Sequence, residues 1–357
     1  MSITDKNKVD MVALARSTQL GDALGSSSNT VAVMAPAKVN LVLNVGKKND
    51  TGFHELDSVF QSLALHDVVY LSPLQGDEAA DVKNKSLAGQ SNIACAGPDK
   101  NIVVRINFIP KESLPEVEVA IENNMVFKAV DTFANAFDIK KSCVLDIFVE
   151  KHIPAQAGLA GGSSDGAAVL IGMAKLFGLS EDTSVVSWKS FETLERCAQE
   201  LGSDVAFFLR GGAGVYKSRG DVFVRSLKPK DGFVVLIKPE IGVSTAQAYR
   251  VFDELDDENG VQRICLDDSV DDANKIAMFN NLAIASETIA PELIDLKSWI
   301  ASRPGVKEVL LSGSGSAYFA VTEDYASASK LSGEAALRGY WTRATMFART
   351  RAAIIPT

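Results

Sequence analysis

The apolar positions of this chain repeat with two different periods. In "VAVMAPAKVNLVLNV", Val39, Leu41, Leu43 and Val45 alternate with polar or smaller residues, which predicts a half-buried strand. After the turn "GKKNDTGF", the run "SVFQSLALHDVVYLSP" predicts further strand, and "CVLDIFVEKHIP" predicts another that ends at Pro154. The period changes in "NNMVFKAVDTFANAF", where Met125, Val126, Ala129, Val130 and Phe133 share one helical face. Ala167, Leu170, Ile171 and Ala174 also follow helical spacing, with Gly178 as the stop. "TLERCAQEL" predicts a helix stopped at Gly202, and "GVYKSRGDVFVRSL" a hairpin. Between these elements, 75–101 is polar and glycine-bearing and reads as a surface excursion.

A shift in composition at "KPKDG" (228–232) marks the expected boundary between an N-terminal lobe, 31–228, and a C-terminal lobe, 232–355. Residues 1–30 end in "GSSSNT", lack the apolar stretch of a signal peptide, and read as an extension outside the fold. The second lobe begins with the buried strand "FVVLIKP". Helices are expected around 245–255, 274–287 and 291–302, then one strand "EVLLSGSGSAYFAV", a helix over 325–337 and a strand near 341–348. Strands and helices mix without strict βαβ alternation, so the predicted class is α+β.

Bulk properties narrow the function. With 357 residues, 46% hydrophobic and 23% charged, the composition is that of a globular protein. The net charge of −9 argues against a nucleic-acid partner. No uninterrupted apolar run approaches the ~18 residues of a membrane span, so no membrane partner is expected and a cytoplasmic setting is. Cys95, Cys143, Cys197 and Cys265 form no CxxC pair, and the chain has three histidines. A Cys/His metal site is therefore not expected, and the cysteines read as buried, reduced thiols.

The candidate chemistry starts at "PAQAGLAGGSSDGA", 154–167. This loop runs into a helix whose first N–H groups lack intrahelical acceptors, and its small residues let an anion approach the backbone. Ser163, Ser164 and Asp165 sit where N-caps belong. It is neither a Walker loop, since Gly162 is followed by Ser163-Ser164 without lysine, nor GxGxxG. Two readings remain, a phosphate cradle or a loop for close helix–strand packing. "SGSGSAYFAV", 312–321, repeats the pattern at a strand end; Gly313, Ser314 and Gly315 make a candidate second wall. Lys38, opening an apolar strand, either snorkels to the surface or meets an anionic partner. Asp204 in "LGSDVAFFL" reads first as an N-cap, with Ser203, and alternatively as a carboxylate base. His54, beside Phe53 in a turn, is either solvent-exposed or stacked on a planar base.

Taken together and in order, "PAKVNL", "PAQAGLAGGSS" and "LSGSGSAYFA" resemble the three motifs of the GHMP small-molecule kinases. "APAKVNLVLNVGKKNDTGFHELDSVFQSL", "LGSDVAFFL", "NNMVFKA" and "FNNLAIA" extend that resemblance toward the branch acting on a cytidylylated methylerythritol. The resemblance spans from about Val31 to the C-terminal strand.

It implies a two-lobed fold, with an N-terminal lobe like ribosomal protein S5 domain 2 and a ferredoxin-like C-terminal lobe. It further implies an ATP-dependent kinase that phosphorylates the 2-hydroxyl of that substrate, on the non-mevalonate route to isoprenoid precursors. Homoserine- or mevalonate-type kinases, or an inactive nucleotide-binding relative, are the alternatives. By position, Lys38 and Asp204 match the catalytic pair. Pro154, Ala155, Gln156, Ala157, Gly158, Leu159, Ala160, Gly161, Gly162, Ser163 and Ser164 match the ATP loop. Asn124 and Lys128 match the adenine side, in preference to the similar "NIVVRI" at 101–106. Asn40, Phe53 and His54 match substrate positions. Magnesium arrives with ATP, without evident protein ligands beyond a candidate hydroxyl from Ser163 or Ser164. The chain departs from the family at Ala157 and Ala160, where glycine is frequent and where a methyl fits if φ stays negative. It departs again at Phe53, where tyrosine is common, and in the long 75–101 stretch.

Overall fold

A computed structural model of the chain describes residues 29–48, 54–111, 114–115, 119–179 and 188–356. The expected extension, up to residue 28, and Phe53 lie outside the described residues.

Two long antiparallel strands organise the first lobe, β1 (Val31–Lys48) and β2 (His54–Leu74). Their register shifts between Pro36 and Lys38 and again between Asn40 and Val42. Bulges bend and twist a strand pair, and here the two ends of β2 find different second neighbours. Val68–Leu74 pairs with β5 (Cys143–Lys151), whereas Ser58–Gln61 pairs with β6 (Ala213–Lys217). Around this pair the sheet runs β13 (Ala353–Ile354), β1, β2, β5, β4 (Ile102–Pro110), β3 (Ile93–Ala96). Strands β6 and β7 (Val222–Leu227) and the short β9 (Phe279–Asn280) branch from it.

One face of the sheet is covered by α2 (Met125–Ala136), α3 (Gly161–Leu176), α4 (Trp188–Leu201) and α5 (Ser203–Arg210), enclosing a core that includes Leu71, Val130, Phe133, Leu170 and Phe207. β4 and β5 are parallel and joined through α2, as a parallel pair requires. The sequence 101–106 lies mainly in β4, so it is "NNMVFKA" that opens a helix, with Asn124 as N-cap.

The second sheet is antiparallel in the order β10 (Val306–Leu311), β11 (Tyr318–Thr322), β8 (Phe233–Lys238), β12 (Trp341–Met346). Helices α6 (Thr245–Asn259), α7 (Ala283–Ile289) and α8 (Glu292–Ala301) lie between β8 and β10 in the chain, and α9 (Tyr325–Leu337) between β11 and β12. That β-α-β-β-α-β order is ferredoxin-like, and the fold as a whole is the expected α+β arrangement.

A separate apolar cluster (Val39, Leu41, Leu63, Leu236, Phe319) joins β1 and β2 to the second sheet. A first correction follows, since Ala37–Val45 is buried at every position: Val39, Leu41, Leu43 and Val45 pack into apolar clusters shared with the second lobe, while Lys38, Asn40 and Asn44 are buried with hydrogen-bond partners. β9 and β13 also carry the chain back from the second segment to the first sheet, so 228–232 is the main passage between lobes and not the last.

Three further expectations are corrected. The helix at 274–287 is a 3₁₀ turn (Ala273–Lys275), then β9, then α7. The single strand 308–321 is the hairpin β10–β11, reversed at Gly313 and Gly315, both at positive φ. The excursion at 75–101 holds α1 (Gly76–Leu87) and the sheet's edge strand β3. The four cysteines are free, but Cys197 alone is buried and Cys265 is exposed.

Candidate active site

The two lobes enclose a cleft of about 1400 Å³, more than the ~300–1,000 Å³ usual for one small ligand. Its floor is β1. Lys38 and Asn40, two residues apart on the strand, both line the cleft, while Val39 and Leu41 enter the apolar cluster. Lys38 is 4% exposed. Its ammonium donates to Asn40 Oδ1 (2.7 Å), lies 3.5 Å from Asp204 Oδ2 and stands 4.9 Å from the centre of the Phe60 ring. Asn40 in turn donates to Ser58 Oγ (2.9 Å), which donates to the Val42 carbonyl (2.7 Å). Burial of a lysine is costly without such partners, so the snorkelling alternative for Lys38 is set aside.

The N-cap reading of Asp204 is set aside as well. The N-cap of α5 is Gly202, with no side-chain cap, and Asp204 stands in the first turn with its carboxylate toward Lys38. Helix α5 therefore delivers an ionisable oxygen to the cleft beside the buried ammonium.

The glycine loop forms the adjoining wall. Lys38 N–H donates to the Leu159 carbonyl (3.2 Å), which ties the loop to β1. The N-cap of α3 is Ala160, at φ +56, and not Ser163, Ser164 or Asp165, which lie inside the first turns. The condition of negative φ thus fails at Ala160, and Gln156 is left-handed too, at φ +51. Gly161, Gly162 and Ser163 line the cleft at the helix start, where N–H groups have no intrahelical acceptor. Pro154–Gly158 and Ala160 line it as well. Leu159 instead points into the apolar cluster, and Ser164 is fully buried with an unpartnered hydroxyl.

The second wall is Gly313, Ser314 and Gly315 in the β10–β11 turn. The two loops are laced together by Ser312 Oγ to the Gly158 carbonyl (2.9 Å), Ser316 N–H to Gln156 (3.2 Å) and Ala317 N–H to Ala157 (3.3 Å). Asparagines of "FNN", unassigned from sequence, brace this wall. Asn280 donates to the carbonyls of Leu311 and Gly313 (both 2.8 Å), and Asn281 bonds both backbone groups of Val45.

The two ends of the cleft differ. Past the helix start it is lined by Phe108, Pro110, Leu114, Val119 and Met125, an apolar slot closed by Asn124, which caps α2 through Val126 N–H (2.9 Å). Lys128 is exposed one turn further along α2, outside the cleft lining. At the other end His54 is stacked with Tyr249 (centroids 5.3 Å apart, 27° between planes). Its Nε2 is 2.9 Å from Asp253 Oδ1, and its Nδ1 is 3.0 Å from the Gly46 carbonyl. Burial, and then the charge of Asp204, push the Tyr249 hydroxyl up to about 12. Tyr249 and Asp253 come from α6, in the other lobe, and no local signal in the sequence links them to His54.

Behind the glycine-loop wall lies a charged cluster that was also unassigned. Lys151, three residues before Pro154, donates to Asp165 Oδ2 (2.7 Å) and to Asp67 Oδ2. Asp67 accepts from the backbone N–H groups of His152 (2.5 Å) and Ile153 (2.9 Å) as well.

A two-lobed cleft with a helix-start anion cradle, a second glycine wall and a Lys–Asp pair between them defines a class of small-molecule phosphotransferase. Sequence comparison agrees: residues 124–212 match the pattern of the GHMP kinases N terminal domain, and residues 267–339 that of the GHMP kinases C terminal domain. The chain belongs to the GHMP kinase family, whose members are ATP-dependent.

Within it, a relative from Exiguobacterium sibiricum, 4-diphosphocytidyl-2-C-methyl-D-erythritol kinase, is 33% identical over 313 residues, which are 85% of this chain and 92% of that protein. The crystal structure of a 4-(cytidine 5'-diphospho)-2C-methyl-D-erythritol kinase is similar at 25% identity, with a TM-score of 0.62 over 89% of this chain and 99% of its own. A homoserine kinase from Cytophaga hutchinsonii shares the fold, at 16% identity, with a TM-score of 0.58 over 92% of this chain and 98% of its own.

Proposed function

We propose that this protein transfers the γ-phosphoryl group of ATP to the 2-hydroxyl of 4-diphosphocytidyl-2-C-methyl-D-erythritol. The observation that carries the reading is the Lys38–Asp204 pair, 3.5 Å apart, at the junction of two unlike ends of one cleft. ATP lies along the glycine loop, its triphosphate on the N–H groups of Gly161, Gly162 and Ser163 and its adenine in the apolar slot near Asn124. The acceptor's cytosine lies against Tyr249 and His54, and its alcohol comes to Asp204.

Asp204 takes the hydroxyl proton as the oxygen attacks the γ-phosphorus; the bond to the β-phosphate oxygen breaks and ADP leaves. Lys38 pairs with the Asp204 carboxylate and offsets the charge on the transferring phosphoryl oxygens. Asn40 fixes the ammonium, with Ser58 behind it. Magnesium enters with ATP as part of the substrate. Among the described residues no group of three or more His, Cys, Asp or Glu side chains could hold a metal; Ser163, at the helix start in the cleft lining, would offer the ion a hydroxyl, and the ion would neutralise phosphate charge when bound. No described helix is long and apolar enough to cross a membrane, and we place the reaction in the cytoplasm.

The test couples ADP release to the cytidylylated substrate, with mevalonate and homoserine as parallel acceptors. Turnover with the cytidylylated substrate is expected; turnover with a control alone overturns the proposal.

A further inference from the structure

The ATP loop has no lysine of its own, yet an ammonium sits directly behind it. A Cβ built on Gly161, the first residue of α3, would lie 3.4 Å from Lys151 Nζ and 2.9 Å from Ile153 Cγ2. Lys151 is the last residue of β5, and its side chain lines the cleft with 18% exposure. Two of its three donors are taken by carboxylates that are themselves buried, Asp67 at 0% and Asp165 at 3%. Asp67 is fixed by two backbone N–H groups and belongs to β2, whereas Asp165 belongs to the second turn of α3 and has no other described partner, its Oδ1 being buried and unbonded. The ammonium therefore spans the rigid sheet and the helix that carries the phosphate-binding N–H groups. Its removal leaves Asp67 and Asp165 buried side by side with no cation between them, which is costly in itself and frees the start of α3 from the sheet.

We propose that Lys151 is a positioning residue for ATP: bonded to Asp67 and Asp165, it clasps the start of α3 to the sheet and keeps the phosphate-binding N–H groups aimed into the cleft. The inference rests on the reading of 154–164 as the ATP loop. It concerns the nucleotide alone, since the clasp lies behind that wall and the acceptor meets the other end of the cleft. Asp165 acts through its oxygen, so a neutral acceptor of the same shape preserves the contact to Lys151 and an apolar residue does not.

The test measures binding of a non-hydrolysable ATP analogue to the full chain, and then separate KM values for ATP and the acceptor. Wild-type protein that binds no analogue overturns the proposed function, independently of the clasp. Given binding, Lys151→Met is expected to weaken analogue affinity at least about tenfold and to raise the KM for ATP, with the acceptor KM changed less than about twofold; Lys151→Arg restores most of the loss. Should Lys151→Met not fold, Asp165→Ala and Asp165→Asn carry the same test: the alanine variant weakens the analogue and the asparagine variant stays near wild type. Equal affinity in Lys151→Met and wild type, equal affinity in the two Asp165 variants, or parallel rises in both KM values overturn the clasp.

Discussion

The α-carbon of Gly158 is packed against the backbone carbonyl of Ser312: a Cβ there would lie 1.8 Å from that oxygen. This contact is the seam between the glycine loop 154–164, the proposed ATP loop, and the second glycine wall, and it demands glycine twice over, since Gly158 is also left-handed at φ +72. The backbone of Ser312 has no flexible end that could yield. Gly158→Ala is expected to lower the melting temperature and raise the KM for ATP, the left-handed backbone alone costing about 1–2 kcal/mol. Ala160 predicts the opposite sign in the same loop. It holds φ +56 with a methyl group, and Ala160→Gly relieves that strain, less the entropy glycine loses on folding. Thermal unfolding of the two variants side by side checks both; a Gly158→Ala protein as stable as wild type removes the seam from the account.

Asp204 makes the sharpest catalytic test. It is not the N-cap of its helix, and among the described residues its ion pair is to Lys38. Asp204→Asn keeps its shape and removes its basicity. Turnover is expected to fall by about 10²–10⁴-fold, the usual contribution of a general base, while ATP binds as before. Single-turnover rates and analogue binding separate these, and unchanged turnover sinks the assignment.

Much of this site was legible. A lysine opening an apolar strand is expensive unless paired, and "SGSGS" and "AGLAGGSS" carry their glycines in plain view. What could not be read is the pairing that the fold creates. Lys151 meets Asp67 and Asp165 from 84 and 14 positions away, and no local period records such contacts. His54 and Tyr249 come from different lobes for the same reason. At 278–282 the apolar spacing mimics a helix, but Asn280 and Asn281 spend their side chains on the backbones of Leu311, Gly313 and Val45, and tertiary bonding overrides the local pattern. In β10–β11, apolar content continues through a chain reversal that only Gly313 and Gly315 signal.

Asp165 predicts a pH dependence of stability. Burial above all, with Asp67 adding and Lys151 opposing, raises its carboxyl to about 8, against an unfolded value of about 3.9. Between those values the folded chain holds a proton that the unfolded chain releases, so this group's contribution falls as pH rises from about 4 through 8. Asp165→Asn, permanently neutral, removes the slope. The difference in melting temperature between Asp165→Asn and wild type is expected to grow in the variant's favour from pH 5 to pH 8. A difference that stays flat over that range overturns the assignment of the proton to Asp165.

Tyr249 predicts a separation between the two substrates. Its ring is stacked on His54 at the end of the cleft away from the adenine slot, and burial together with the charge of Asp204 keeps its hydroxyl protonated well above neutrality. The aromatic face is what a pyrimidine needs, and such stacking is worth about 1–3 kcal/mol per base, or about 5- to 150-fold in affinity. Tyr249→Ala is therefore expected to raise the acceptor KM within that range and to leave the KM for ATP within about twofold. Tyr249→Phe keeps the face and should behave as wild type. If the phenylalanine variant loses as much as the alanine variant, the hydroxyl and not the ring is the recognising group; if Tyr249→Ala raises the KM for ATP instead, the two ends of the cleft are assigned the wrong way round.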